Sequence, residues 1–168
     1  MIKTNHDIKR RATSNDIFIT PPEVAKIQIG LHSDVFFNDA SLWLDPCCHT
    51  LAGSYYSNFI GKKEWCEITM GKCFFDYSGK PDVICGNPPY SLLDQFIEKI
   101  LVIQPQEFSL LLALHGLTTR RLEIIEKAGF CLVRMKMLKI YKWFGMSAIC
   151  VFTKGEKPCI TYDRKVYR

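Results

Sequence analysis

The chain has 168 residues, 48% of them hydrophobic, with a formal net charge of +5, which predicts one globular domain with a sizeable core and excludes a disordered chain. Its longest apolar run, 108–114, is broken by Ser109 and falls far short of the ~20 residues of a membrane helix. The start, "MIKTNHDIKRRATSND", is polar and basic with no apolar signal core, so the expectation is a soluble, intracellular protein (cytoplasmic or, in a eukaryotic host, nuclear) with no membrane partner.

Residues 1–16 read as a flexible basic arm. In "FITPPEVAK", Thr20 is the expected N-cap, Pro21 the first helical residue and Glu23, three residues after the cap, its partner in a capping box. A short strand over 41–44 runs into Asp45-Pro46. After a polar, aromatic-rich stretch to about Phe59, "EWCEI" (64–68) and "KCFFDY" (72–77) both read as strands, and "DVICG" (82–86) as the next. Leu92, Leu93, Phe96, Ile97, Ile100 and Leu101 recur at helical spacing within 91–104, ahead of Pro105. "FSLLLAL" (108–114) predicts a buried strand, and "TTRRLEIIEKAG" a helix closed by Gly129. "CLVRMKMLKIY" and "SAICVFTKG" predict a final strand pair. Strands alternating with helices and then a strand pair predict an α/β fold: a mostly parallel sheet flanked by helices, with an antiparallel edge near the C-terminus. The expected domain spans 17–157, followed by a basic tail, 158–168.

Positive charge gathers in three places: Lys3, Lys9, Arg10 and Arg11; Arg134, Lys136, Lys139 and Lys142; and Arg164, Lys165 and Arg168. Such grouping suits a polyanion partner, and equally suits solvated ends that keep a protein soluble. The eight cysteines include no Cys-x-x-Cys pair, and Cys85, Cys131 and Cys150 lie in apolar stretches. Free structural thiols in a reducing compartment are expected, with no metal site.

In an open α/β sheet, ligands sit at the carboxyl ends of strands. The predicted strands end in Asp45-Pro46, Glu67, Asp76 and Asn87-Pro88-Pro89-Tyr90. In the last of these, the prolines fix a loop from which the Asn87 amide oxygen and the Pro88 carbonyl project together as acceptors. Neither takes up a proton, which suits them to orient a neutral amine, and Tyr90 offers a flat face for a planar base. An Asn-Pro turn followed by a core Tyr is the alternative. "YKWFG" (141–145) supplies Trp143 or Phe144 as a second wall for such a base. Lys139 and Lys142 are candidate phosphate contacts, and His115 a candidate cleft residue beside Thr118; ordinary packing serves these positions as well.

"DVICGNPPYS" resembles the catalytic loop of the S-adenosylmethionine-dependent N6-adenine DNA methyltransferases. "FITPPEVAK" is similar to the Thr-Pro segment that opens their N-terminal helix, "LWLDPCCHT" to the Asp-Pro-Cys end of their first strand, and "KCFFDY" to their Asp-bearing third strand. These pieces cover about residues 14–95 in the family's order. The short chain and Thr-Pro opening most resemble the compact phage-type Dam methyltransferases, hence a phage or other viral origin. One departure stands out: most members follow Asp-Pro with a glycine-rich turn, and here the chain reads Cys47-Cys48-His49-Thr50-Leu51.

The resemblance implies a Rossmann-like class I methyltransferase fold and S-adenosylmethionine as cofactor. Thr20 and Pro21 would support its methionine end, Asp45 with Pro46 its amino-acid portion, Glu67 its ribose hydroxyls and Asp76 its adenine amine. Phe75 would lie beside that ring or, alternatively, in the core. Asn87, Pro88 and Pro89 would hold the target amine, and Tyr90 would stack on a base flipped from a duplex or already single-stranded. DNA is the expected substrate. RNA adenine, a protein Gln side chain and a non-catalytic nucleic-acid-binding subunit are the alternatives, and a protein partner for target recognition fits the absence of a large insertion.

Overall fold

The structure is a computed structural model that describes residues 18–140 and 146–162. The first helix, α1, spans Pro22–Ile29 and begins one residue later than expected. Pro21 cannot be helical because Pro22 follows it: the ring pushes its predecessor into the extended region, and Pro21 has ψ 141. Pro21 is therefore the N-cap, its carbonyl accepting from Val24 and Ala25. The expected capping box does not form, and the Thr20 hydroxyl is used elsewhere.

Among the described residues six strands follow: β1 (Leu42–Asp45), β2 (Lys62–Trp65), β3 (Val83–Gly86), β4 (Glu107–Ala113), β5 (Phe130–Leu138) and β6 (Ser147–Lys154). They form one sheet in the order β2-β1-β3-β4-β6-β5. β2, β1, β3 and β4 are parallel; β6 runs antiparallel to both β4 and β5, with a register shift between Leu132 and Arg134. Helix α2 (Leu93–Ile103) links β3 to β4 after a 3-10 turn at Tyr90–Leu92, and α3 (Thr119–Lys127) links β4 to β5. Thr118 caps α3 by accepting from the Arg121 amide, and Gly129, at φ +90, provides the left-handed exit.

The stretch expected as a third strand, "KCFFDY", is instead a 3-10 turn, Phe74–Asp76, after an isolated bridge between Glu67 and Lys72. Successive strand residues point to opposite faces. Phe74 and Phe75 instead both pack against Phe96 of α2, at centroid distances of 5.0 and 5.2 Å, which a turn permits and a strand forbids. β2 is consequently an edge strand.

The larger core lies between the sheet and helices α2 and α3, where Phe108 stacks on Phe152 at 4.7 Å and meets Phe130 edge-on at 5.2 Å. A smaller core lies under α1, built around Trp43, which contacts His32, Phe37 and Phe59. Residues 158–162 also pack on the body: the Cys159 amide donates to Leu132, and the Tyr162 hydroxyl to Glu126. All eight cysteines are free. Among the described residues no helix is long and apolar enough to cross a membrane, and no three His, Cys, Asp or Glu side chains are grouped to hold a metal.

Candidate active site

From β1 the chain passes to β2 on one side and returns to β3 on the other. The switch point, where a doubly wound sheet opens its ligand crevice, therefore lies between the carboxyl ends of β1 and β3. Those ends carry Asp45 and Asn87.

Asp45 is 1% exposed, and its Oδ1 accepts from the Cys47 amide at 3.1 Å. Burial, with a smaller push from the Glu67 charge, raises its carboxyl to about 7 against the opposing pull of its hydrogen bonds. Pro46 rests against Gly86: a Cβ on that glycine would come within 2.8 Å of the Pro46 ring, so a larger residue would force the two strand ends apart. The Cys47 thiol donates to the Asn87 carbonyl at 3.2 Å. Burial holds that thiol protonated, which makes it a donor rather than a nucleophile.

Asn87 is gripped from the segment ahead of α1. Its Nδ2 donates to the Phe18 carbonyl and to the Thr20 hydroxyl, both at 3.1 Å. A carbonyl only accepts, so the contact with Phe18 fixes which end of the amide is nitrogen. The other end, Oδ1, is buried with no hydrogen-bond partner among the described residues. Native proteins seldom leave such an acceptor unpaired, because it forfeits about 1–3 kcal/mol. Pro88 is buried behind it, and Tyr90 begins the following 3-10 turn. The Tyr90 ring lies nearly parallel to that of Phe18, at 6.0 Å and 26°. Phe18 was not singled out from sequence, although it sits two residues before Thr20 in the same segment.

The loop after β1 closes onto this group. The Ser54 hydroxyl donates to the Thr20 carbonyl. In place of a glycine-rich turn, His49 takes a left-handed φ of 35, and Gly53 sits where a Cβ would meet the Thr50 carbonyl at 2.6 Å. The glycine here lets the loop close on itself, between Gly53 and the carbonyls of Cys48 and Thr50.

Pairing between β1 and β2 continues past their ends, through Cys66 to Asp45 and Cys48 to Cys66. Glu67 therefore follows directly beside the Asp45 end, and its Oε1 accepts from the amide and hydroxyl of Thr69. Asp76 is exposed and lines a groove of about 520 Å³ on the outer edge of β2, with Trp65, Cys66 and Cys73. Phe75 packs edge-on against Phe96. His115 is exposed in the turn after β4, the next strand end beyond Asn87, and Lys139 is exposed just after β5. Lys142, Trp143 and Phe144 lie outside the described residues. Thr20, Pro21, Asp45, Pro46 and the Asn87–Tyr90 loop thus come together, with Glu67 alongside. Asp76 stands further out, in the groove at the edge of β2, and Phe75 turns inward onto Phe96 of α2.

No protein-family profile and no curated protein sequence matches this chain. Solved structures do. A protein of Listeria monocytogenes described as a class I S-adenosylmethionine-dependent methyltransferase superposes with a TM-score of 0.61 at 13% identity, over 91% of this chain and 66% of its own. The magnesium protoporphyrin IX methyltransferase of Synechocystis PCC 6803, with S-adenosylmethionine bound, gives 0.52 at 12%, over 92% of this chain and 86% of its own. TrmN from Thermus thermophilus gives 0.52 at 16%, over 82% of this chain, which spans half of TrmN's length. The sheet order, the flanking helices and these likenesses agree: the chain has the Rossmann-like fold of the class I methyltransferases.

Proposed function

We propose that the chain is an S-adenosylmethionine-dependent methyltransferase that modifies the exocyclic N6 amine of adenine in DNA, on a flipped or single-stranded base. The observation that carries this reading is the orphaned Asn87 Oδ1, a buried acceptor whose amide is locked from behind. A primary amine on an aromatic ring supplies the missing donor. Its two hydrogens match two acceptors, Oδ1 and the Pro88 carbonyl, and a ring carrying such an amine matches the aromatic side chain of Tyr90.

The groups at the switch point suit a sulfonium cofactor. Asp45, raised to about 7 in isolation, gains a partner in an ammonium group, and Glu67 retains a second oxygen for ribose hydroxyls. Thr20, bonded to Asn87, and Pro21 are assigned to the methionine end, with Pro46, packed on Gly86, beside Asp45. Asp76 is assigned to the outer end, towards an adenine amine, with Phe75 next to it in sequence. When bound, S-adenosylmethionine supplies a methyl group already activated for displacement. The task left to the protein is alignment. By accepting the amine hydrogens, Asn87 and Pro88 draw the nitrogen out of conjugation with its ring and free its lone pair. The cationic product amine is acidic and releases its proton to water. His115 and Lys139, and beyond them Lys142, Trp143 and Phe144, are assigned to the nucleic acid. That nucleic acid is the proposed partner, along with a protein that aids target recognition.

The test is methyl transfer from isotopically labelled S-adenosylmethionine to duplex DNA, single-stranded DNA and RNA, read by nucleoside mass spectrometry, with Asn87→Ala in parallel. Labelled N6-methyladenine that disappears in the variant is expected, and the three acceptors rank the substrate. Cofactor binding without transfer to any of them moves the acceptor to a protein side chain. Failure to bind cofactor overturns the reading in favour of a nucleic-acid-binding subunit.

A further inference from the structure

Gln28 of α1 is completely buried, and a buried primary amide is costly unless it is bonded. Its Nε2 donates to the Gly86 carbonyl at 3.1 Å and to the Ser109 hydroxyl at 3.0 Å, and its Oε1 accepts from the Tyr55 hydroxyl at 2.7 Å. Gly86 is the residue before Asn87, so its carbonyl and the Asn87 amide belong to one peptide plane. A glycine has no side chain to hold that plane by packing. Beside the pairing of Gly86 with Leu110 of β4 and the Pro46 ring against it, the Gly86 carbonyl is held by Gln28, and the same N-terminal segment fastens the Asn87 side chain through Phe18 and Thr20.

Donor direction propagates from this contact. The Gly86 carbonyl only accepts, so the amide nitrogen of Gln28 must face it and Ser109 as well. Ser109 then accepts from Gln28 and has its own hydrogen for His32 Nε2, at 2.7 Å. That leaves His32 Nδ1 as the protonated nitrogen, which donates to Glu107 Oε1 at 2.7 Å. Glu107 also accepts from the Ser33 amide and the Thr153 hydroxyl, with Arg134 at 3.4 Å. Every polar group in the chain is used, with imidazole neutral. Tyr55 extends it at the other end into the loop that follows β1.

We propose that Gln28 is a positioning residue: through the Gly86 carbonyl it fixes the plane from which Asn87 presents its acceptor, and through Tyr55 it ties that presentation to the loop beside Asp45. The functional consequence rests on the methyl-transfer reading above; the mechanical one does not.

The experiment compares wild type, Gln28→Leu, Gln28→Glu and Ser109→Ala in the full chain. Three readouts are needed: thermal unfolding, hydrogen exchange over 86–92, and single-turnover methyl transfer at saturating nucleic acid and cofactor. Gln28→Leu is expected to speed exchange at 86–92 and to slow transfer about ten- to hundredfold, the usual consequence of misplacing a reacting group by ~1 Å, with cofactor affinity little changed. Ser109→Ala breaks the chain further on but keeps the Gly86 contact. It is expected to lose stability while holding both the 86–92 protection and the rate. In Gln28→Glu a carboxylate has no hydrogen for Gly86, whereas the protonated acid has one, so its rate relative to wild type is expected to rise as pH falls. Measured where thermal unfolding shows both proteins fully folded at every pH, a purely structural role would not move that ratio. Wild-type exchange at 86–92 in Gln28→Leu overturns the proposal whether or not the wild type transfers methyl, as do equal rate losses in Gln28→Leu and Ser109→Ala. Faster exchange at 86–92 in a chain whose wild type transfers nothing supports Gln28's hold on Asn87 and overturns only the adenine reading.

Discussion

The side-chain nitrogen of Asn87 lies 3.1 Å from the hydroxyl oxygen of Thr20, although 67 residues separate them in sequence. This contact joins the two segments that carry the strongest sequence signals and turns the free oxygen of the amide into a fixed acceptor. Removing it from either side has distinct consequences. Asn87→Ala is expected to lower the transfer rate about 10²–10³-fold, the usual loss on deleting one preorganised hydrogen-bonding group at a reacting centre. Thr20→Val leaves one amide hydrogen on Phe18 and strands the other, with a smaller loss of about tenfold and roughly 1–3 kcal/mol of stability. Thr20→Ser restores both. Initial rates and thermal unfolding of the three variants check the order; a Thr20→Val enzyme as damaged as Asn87→Ala would refute the division of roles.

Asp45 predicts a pH-dependent trade between stability and ligand binding. Chiefly through burial, its carboxyl rises from an ordinary 3.8 to about 7. Between those values the folded protein holds more protons at this site than the unfolded chain does. The stability the group contributes is therefore full below about 4 and is lost as pH rises through about 7. Asp45→Asn removes the penalty and is expected to raise the melting temperature at pH 8 while leaving it little changed at pH 4; each kcal/mol is worth about 2–4 °C in a domain of this size. The same variant is expected to bind S-adenosylmethionine more weakly. In wild type, binding should tighten as pH rises through 7, with proton release that calorimetry in two buffers of different ionisation enthalpy detects. Binding that is flat with pH would place the cationic end of the ligand elsewhere.

How much of this was legible in the sequence follows from where the information resides. The strand "VICG" ending on Asn-Pro-Pro-Tyr, the Asp-Pro end of β1 and the two long helices are each set by a local pattern of apolar spacing and proline, and each falls where that pattern puts it. "KCFFDY" has the composition of a strand, yet two adjacent Phe side chains both find Phe96, a residue some twenty positions on, and that long-range contact decides the turn. Gln28 lies in α1 and His32 just past its end. Their partners, Gly86, Ser109 and Glu107, lie 58 to 81 residues away, and no local pattern announces them.

The buried pair of His32 and Glu107 predicts a second pH effect of opposite sense. Burial holds His32 below its ordinary 6.5 despite the pull of Glu107. For Glu107, burial by itself would raise the carboxyl, but hydrogen bonds from His32, Thr153 and the Ser33 amide together bring it down to about 2. A histidine neutral in the fold and titrating at 6.5 when unfolded makes the unfolded chain the better proton acceptor below 6.5, so stability is lost as pH falls through that value. Glu107 adds a loss in the same direction, beginning only near 4.5. Against wild type, His32→Gln is expected to flatten the stability profile between pH 6.5 and 5 and to leave the steeper acid limb in place. Denaturant unfolding at half-unit pH steps measures both; parallel profiles would mean that His32 is already charged in the fold.

Phe18 supplies the last prediction, which concerns the side of Tyr90 on which a base stacks. The Phe18 carbonyl holds the nitrogen end of the Asn87 amide, and its ring lies along Tyr90 at 6.0 Å. The orphaned oxygen points to the other end of that amide, so an incoming amine approaches from the side away from Phe18. Phe18 therefore backs Tyr90 on the side away from the incoming base. Such an aromatic pair is worth about 0.5–1.5 kcal/mol, so Phe18→Ala is expected to lower kcat/KM by roughly two- to tenfold. Most of that loss should appear in KM, because the support acts on binding of the base, and Phe18→Trp should retain the wild-type value. A higher kcat/KM in Phe18→Ala would reverse the geometry. It would mean that the Phe18 ring occupies the base's own place against Tyr90 and must leave before the base can enter.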